Sequence, residues 1–329
     1  MNPTARWPKI AVLGATGFVG SRLMAYGQNA GVDVTPVTMP RVLAGPVGDV
    51  AEGAARWCRV NQRPYRDLCG ALASFDVVIN AAGDGRSGST DAVRLHASNA
   101  VLPAIAARAA AAAGVRRLLQ VSTAAVQGRL DPLDETAFHF PLFAYARSKA
   151  ASERWLLGAR PDRGEVPPEL VLYRPASIQA IRHQATRSFA RLVAHLPAVP
   201  VEGSGDRPVP VTLLDNVAAG IFFAAAMAEP APIILQPDEG ITVRRLVELF
   251  GARRLVALPP RATNLALDQV ERLTSHSAYL TSRLRWFDLL LRGQASAAKA
   301  LPGAGFTLPV GFEGWEALAE ANKPNRRHP

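Results

Sequence analysis

The chain has 329 residues, 49% hydrophobic and 19% charged, with a formal net charge of +10. That hydrophobic content excludes a disordered polar chain, and two cysteines, Cys58 and Cys69, with no partner at metal-ligand spacing fit a reduced compartment rather than a disulfide scaffold or a zinc site. The basic residues are scattered, with clusters no larger than pairs such as Arg116-Arg117, so nucleic acid is not the expected partner and the field better suits a phosphate-bearing small molecule.

No stretch approaches the roughly 18 consecutive apolar residues of a membrane span. The first nine residues lack a secretory apolar run, so a cytoplasmic protein without an integral membrane segment is expected.

In chain order, residues 10–13 read as a strand that runs into Gly14-Ala15-Thr16-Gly17-Phe18-Val19-Gly20, and residues 21–26 as the helix that follows. Residues 32–38 read as a second strand and 75–80 as a third, ending in Ala81-Ala82-Gly83. The alanine-rich run 99–113 predicts a helix that stops at Gly114, with Asn99 at its start, where a cap is its plain structural role. Residues 118–122 predict a strand, 145–157 a helix and 170–173 a strand closed by Arg174-Pro175. Short apolar strands alternating with helices imply parallel strands with helices on both faces, a doubly wound α/β fold.

Farther on, helices are expected at 187–195, 217–227 and 242–250, and a strand at 233–235. The expected organisation is a dinucleotide-binding domain over 1–175 and a smaller substrate-binding portion over 176–329, partly returning to the main sheet around 207–236. The stretch 282–293, with Arg283, Arg285 and Arg292 beside Trp286 and Phe287, reads as a helix packed in a core or at a homodimer contact, in preference to one lying on a membrane.

Four features carry chemistry. In a Rossmann unit the glycines allow a tight turn, a close approach to pyrophosphate and close helix packing; the same triplet alone also serves a plain turn. Tyr145 and Lys149 lie four apart on one helix face. A protein that writes nearly all its cations as arginine uses lysine here, where a compact ammonium can act on a phenol; a solvated helix face is the bland alternative. Ser122-Thr123 and Asn80 to Gly83 stand at strand ends, where ligands meet an open α/β sheet. The histidines are dispersed without a ligand pair, so no metal is expected.

Together these features resemble the extended short-chain dehydrogenase/reductase family of nucleotide-sugar epimerases, dehydratases and ketoreductases. The matching segments are the G-x-x-G-x-x-G turn at Gly14 to Gly20, Asn80 to Gly83, Asn99, Thr123 to Gly128, and Tyr145-Ala146-Arg147-Ser148-Lys149; Arg174-Pro175 and the segment 211–217 with Asp215 follow more loosely. The resemblance implies that Tyr145 is the acid/base, that Lys149 lowers its pKa and holds the nicotinamide ribose, and that Thr123 orients the substrate oxygen. It also implies cofactor contacts at Gly14, Thr16, Gly17, Phe18, Val19, Gly20, Ala81, Ala82, Gly83, Asn99, Tyr145, Lys149 and Arg174, with Ser177 and Arg187 as candidates on the substrate side.

Gln127 stands where many members carry Tyr. Thr123 is followed by Ala124-Ala125 where sugar 4,6-dehydratases carry Asp-Glu, so dehydration is not expected. The leading expectation is a ketoreductase or epimerase on a nucleotide-linked sugar, with 4-ketoreduction slightly ahead. The alternatives are an NADPH carbonyl reductase for a small apolar ketone, or a non-catalytic cofactor-binding sensor, which the complete Thr123/Tyr145/Lys149 set disfavours. NADP is expected over NAD because Thr38 ends the second strand without a carboxylate and Arg41 follows within reach of a 2′-phosphate.

Overall fold

The computed structural model describes residues 7–42, 47–86, 88–158, 166–181, 183–274 and 287–323. Its first half comprises β1 (Ile10–Leu13), α1 (Phe18–Asn29), β2 (Val34–Val37), α2 (Val50–Val60), α3 (Gln62–Leu72), β3 (Val77–Asn80), α4 (Ala92–His96), α5 (Leu102–Ala112), β4 (Arg117–Val121), α6 (Ala144–Gly158) and β5 (Glu169–Arg174). The second half adds β6 (Ser177–Gln179), α7 (Gln184–His195), β7 (Val199–Glu202), β8 (Val211–Leu213), α8 (Leu214–Ala226), β9 (Ile233–Leu235), α9 (Val243–Leu249), β10 (Leu255–Leu258) and α10 (Pro260–Thr274), then shorter helices at Ala300–Gly303 and Phe312–Ala321.

Six strands form one parallel sheet in the order β2-β1-β3-β4-β5-β9. Because successive side chains point to opposite faces, β1 sends Ala11 and Leu13 toward α5 and its alanines, and Ile10 and Val12 toward α8 with Val217, Ile221 and Phe222. Both faces are therefore covered, and β1, β3 and β4 are buried along their whole length. The strand order reverses beside β1, which places a ligand crevice at the carboxyl ends of β1 and β3.

The chain leaves this sheet after β5. β6 pairs with β8 and β7 with β10, and Phe189, Val193, Val247, Phe250 and Trp315 build a separate apolar core. Between these pieces α8 packs its apolar face on the main sheet and β9 joins it; an Arg22–Asp215 ion pair ties α1 to the start of α8.

Several expectations shift. α2 and α3 occupy the interval between β2 and β3, where the sequence reading names no element; Asp49 caps α2 by accepting the Glu52 N–H at 2.8 Å. Asn99 does not cap a helix. The helical path already begins at Ala92, and Asn99 lies inside a π-helical turn, Ala97–Val101. Arg117, counted among scattered cations, is fully buried: it holds Glu169 and the carbonyls of Ala224, Ala225, Met227 and Ala228 at the end of α8. Of the stretch 282–293, residues 282–286 lie outside the described residues; the helical residues 287–292 bury Leu290 in the second core and leave Phe287 exposed.

Candidate active site

β1, β3 and β4 end on the same edge of the sheet. Gly14 follows β1 with φ +78°, a conformation that favours glycine, and a Cβ there would stand 2.6 Å from the Ala82 Cα. The turns after β1 and β3 therefore lie back to back. Gly17 donates its N–H to the Gly14 carbonyl at 2.9 Å, and a Cβ on Gly20 would overlap that same carbonyl oxygen. Gly17 begins α1 with no side-chain cap and no acidic residue in the first turn, which leaves backbone donors and the positive end of the helix dipole available to an anion.

β3 ends at fully buried Asn80, which donates to Gln120 at 2.7 Å and accepts the Ala82 N–H at 3.1 Å, fixing the Ala81-Ala82-Gly83 turn to β4. Beyond it Asn99 accepts the Asp84 N–H at 2.8 Å and donates to the Asp84 carbonyl at 3.0 Å and to Ser148 Oγ at 3.2 Å; Ser148 donates to the Tyr145 carbonyl at 2.8 Å. The π turn gives the Asn99 side chain this bridging role between the β3 loop and α6.

On α6, Tyr145 and Lys149 share a face. Lys149 donates to the Val121 carbonyl at the end of β4 at 3.0 Å, and the Thr123 hydroxyl, which accepts the Ala125 N–H at 3.2 Å, faces the Tyr145 phenol. Burial pushes the Tyr145 phenol up to about 12; the Thr123 hydroxyl opposes this and the Asp84 charge reinforces it. Burial pushes the Lys149 ammonium down to about 8, with the charge of Glu153 opposing. Asp84 is held below the usual carboxylate range by hydrogen bonds from Arg86, at 2.9 Å for the closest Nε contact, and by the nearby Arg94.

The structure thus brings Thr123, Tyr145, Lys149, Gly83 and Asn99 into one cluster, with Gly14 to Gly20, Ala81 and Ala82 adjoining it. Thr16 and Phe18 are exposed, and Phe18 stacks on His183 with ring centroids 4.1 Å apart. Thr38 and Arg41 are both exposed just beyond β2, the strand beside β1. Arg174 does not join this set. It is fully buried, and its guanidinium is engaged by Glu153 and by the Thr136 carbonyl at 2.7 Å, a structural placement in contrast to the expected cofactor contact. Arg187 is exposed on α7, and Ser177 accepts from Gln179 at 3.1 Å. Gln127 is fully buried and closes on Asp134 through two hydrogen bonds, at 2.7 and 3.1 Å.

Sequence reasoning missed Asp84, Ser148 and Glu153. Their signals were present: Asp84 directly follows the Asn80 to Gly83 turn, and Glu153 extends the Tyr145/Lys149 face by one further helical turn.

A model of the NAD dependent epimerase/dehydratase family matches residues 10–233, from the first strand of the main sheet into its last. The chain belongs to this family. As a member it is an NAD(P)-dependent enzyme with a Rossmann-type sheet. Solved structures agree in fold. A dTDP-glucose 4,6-dehydratase double mutant from Streptomyces venezuelae with NAD bound is 18% identical with TM-score 0.63, covering 96% of this chain and 97% of its own. A dTDP-4-dehydrorhamnose reductase from Bacillus anthracis in complex with NADP is 14% identical with TM-score 0.61, covering 94% and 98%. The UDP-glucose 4-epimerase of Thermus thermophilus with NAD is 21% identical with TM-score 0.58, covering 95% and 98%. No curated protein sequence matches the chain. Among the described residues no helix is long and apolar enough to cross a membrane.

Proposed function

We propose that this family member is a ketoreductase or epimerase acting on a nucleotide-linked sugar, with reduction of a 4-keto group as the leading reaction. The observation that carries the reading is the Thr123–Tyr145 hydroxyl pair beside the Lys149 ammonium. The phenol, held near 12, is protonated at neutral pH and is therefore set to donate. Thr123 holds the substrate oxygen against Tyr145, and Tyr145 delivers a proton to it as negative charge develops.

The donor set fits a dinucleotide. Backbone amides at the start of α1 would hold the pyrophosphate, Lys149 the nicotinamide ribose, and Thr38 and Arg41 the adenosine ribose with its 2′-phosphate. When bound, the cofactor supplies or accepts the hydride. The 3₁₀ turn that follows Thr123 contains Ala124 and Ala125 and no carboxylate, so the chain lacks an acid/base pair for eliminating water there. Support for the substrate class comes from relatives whose names specify dTDP- and UDP-linked sugars.

The test is consumption of NADPH with a dTDP- or UDP-linked 4-keto sugar, run beside a small apolar ketone. Turnover of the nucleotide sugar is expected; turnover of the small ketone alone would replace this reading with the carbonyl-reductase one. A chain that binds cofactor and turns over neither is the sensor.

A further inference from the structure

Glu153 takes no part in the proton transfer above, yet it is fully buried one helical turn beyond Lys149. Three segments meet on its carboxylate. Ser122, at the end of β4, donates its hydroxyl to Oε1; His139, from the segment before α6, lies 2.7 Å from Oε2; Arg174, at the end of β5, reaches both oxygens through Nε at 3.1 and 3.2 Å and Oε2 through Nη2 at 2.6 Å. The same guanidinium also donates to the Thr136 carbonyl. Ser122 directly precedes Thr123, and Tyr145, Lys149 and Glu153 repeat every four residues along one face of α6.

We propose that Glu153 is a positioning residue for the reaction: it locks the Ser122-Thr123 strand end against the Tyr145–Lys149 face and sets a buried carboxylate one helical turn from the Lys149 side chain. The proposal rests on the catalytic reading of Thr123, Tyr145 and Lys149. Glu153 is the charge that acts on Lys149; His139 before α6 and Arg174 from β5 face Glu153 itself, and Asp84, held by Arg86 and Arg94 beyond β3, acts on the neighbouring Tyr145. Hydrogen bonds from His139 and Arg174, the Arg174 charge and Ser122 outweigh burial and keep Glu153 ionised, so its charge is available to Lys149. Glu153 is also the charge that opposes the burial of Lys149.

Four lysines, Lys9, Lys149, Lys299 and Lys323, make a direct measurement practical by nuclear magnetic resonance of ¹³C-lysine-labelled protein titrated without cofactor. The wild type is expected to give a Lys149 midpoint near 8. Glu153→Gln should lower that midpoint by about one pH unit, and the alkaline limit of cofactor affinity should move with it. A role confined to stability would change the melting temperature and leave the midpoint in place.

If the single variant does not fold, the pair Glu153→Met with Arg174→Met removes both charges without stranding the guanidinium, and the midpoint should still fall, by less than in Glu153→Gln because a cation is lost with the anion. An unchanged midpoint in a folded variant overturns the proposal alone. A wild type that binds no nicotinamide cofactor overturns the catalytic reading, and this one with it.

Discussion

The Lys149 ammonium donates to the Val121 carbonyl at 3.0 Å and lies 3.6 Å from the point where a Cβ on Gly83 would stand. The cation thus sits between the ends of β3 and β4, and the glycine beside it is required by Asn99, whose amide oxygen a Cβ on Gly83 would approach to 2.7 Å. This site selects a lysine at an energetic cost to the fold.

That cost has a pH signature. The folded chain binds the Lys149 proton less tightly than the unfolded chain, with a midpoint of about 8 against 10.5. Between those values the unfolded state holds more protons, so this group makes stability rise with pH there; below about 8 it costs a constant amount, about 3 kcal/mol. Lys149→Met is expected to melt above the wild type at pH 7, with the gain shrinking as pH rises through 8 toward 10.5, while turnover and cofactor affinity both fall. Calorimetry over that range checks it: a gain independent of pH contradicts the assignment.

Tyr145→Phe removes only the proton-transferring hydroxyl. Turnover should fall by about 10²–10⁴-fold, the usual worth of a positioned acid, with cofactor affinity close to wild type. Steady-state rates and cofactor titration measure the two quantities separately. Near-normal turnover would remove Tyr145 from the mechanism.

Gly20→Ala drives a methyl group into the Gly14 carbonyl, which itself anchors the Gly17 N–H. Loss of measurable cofactor binding is expected, along with destabilisation in the range of about 1–3 kcal/mol typical of overpacking. Gly31→Ala is the comparison: Gly31 sits at positive φ with nothing within 4 Å, so the substitution should cost only about 1 kcal/mol and leave cofactor binding intact.

Arg41→Ala tests the cofactor preference. The variant should lose affinity for NADP(H) by about tenfold, as expected for one lost charge-assisted contact, and leave NAD(H) nearly unchanged. Equal losses for both cofactors, or tighter NAD(H) binding by the wild type, would contradict the preference.

The main sheet was legible because most of its strands carry short apolar, buried runs bounded by glycine, proline or polar turns; β2, with only Val37 buried, is the exception. Ile10–Leu13 and Ile233–Leu235 fall where the pattern puts them, and the others agree within two residues. β6 and β8 escaped notice because Ser177–Gln179 and Val211–Leu213 mix polar with apolar residues, unlike the all-aliphatic Ile233–Leu235; α2 and α3 were overlooked although each buries one face, through Val50 and Ala54 and through Leu68 and Leu72. The hydroxyl–phenol–lysine cluster could be read from spacing on one helix and one strand end. The Glu153–Arg174 pair could not, since it joins positions 21 residues apart on different elements through burial alone. Asn99 was recognised as a residue of interest, but its role depends on a π turn that no local pattern signals.

The two margins of the main sheet are guarded against strand addition. β2, at one margin, contains Pro36, which has no N–H to offer another chain; β9, at the other, is only three residues long, preceded directly by Pro232 and followed after Gln236 by Pro237. Proline and brevity are the devices by which soluble sheets refuse further strands. A sheet whose central strands are buried and aliphatic is thereby protected from edge-to-edge aggregation, and any self-association of this enzyme is directed to its helices and loops.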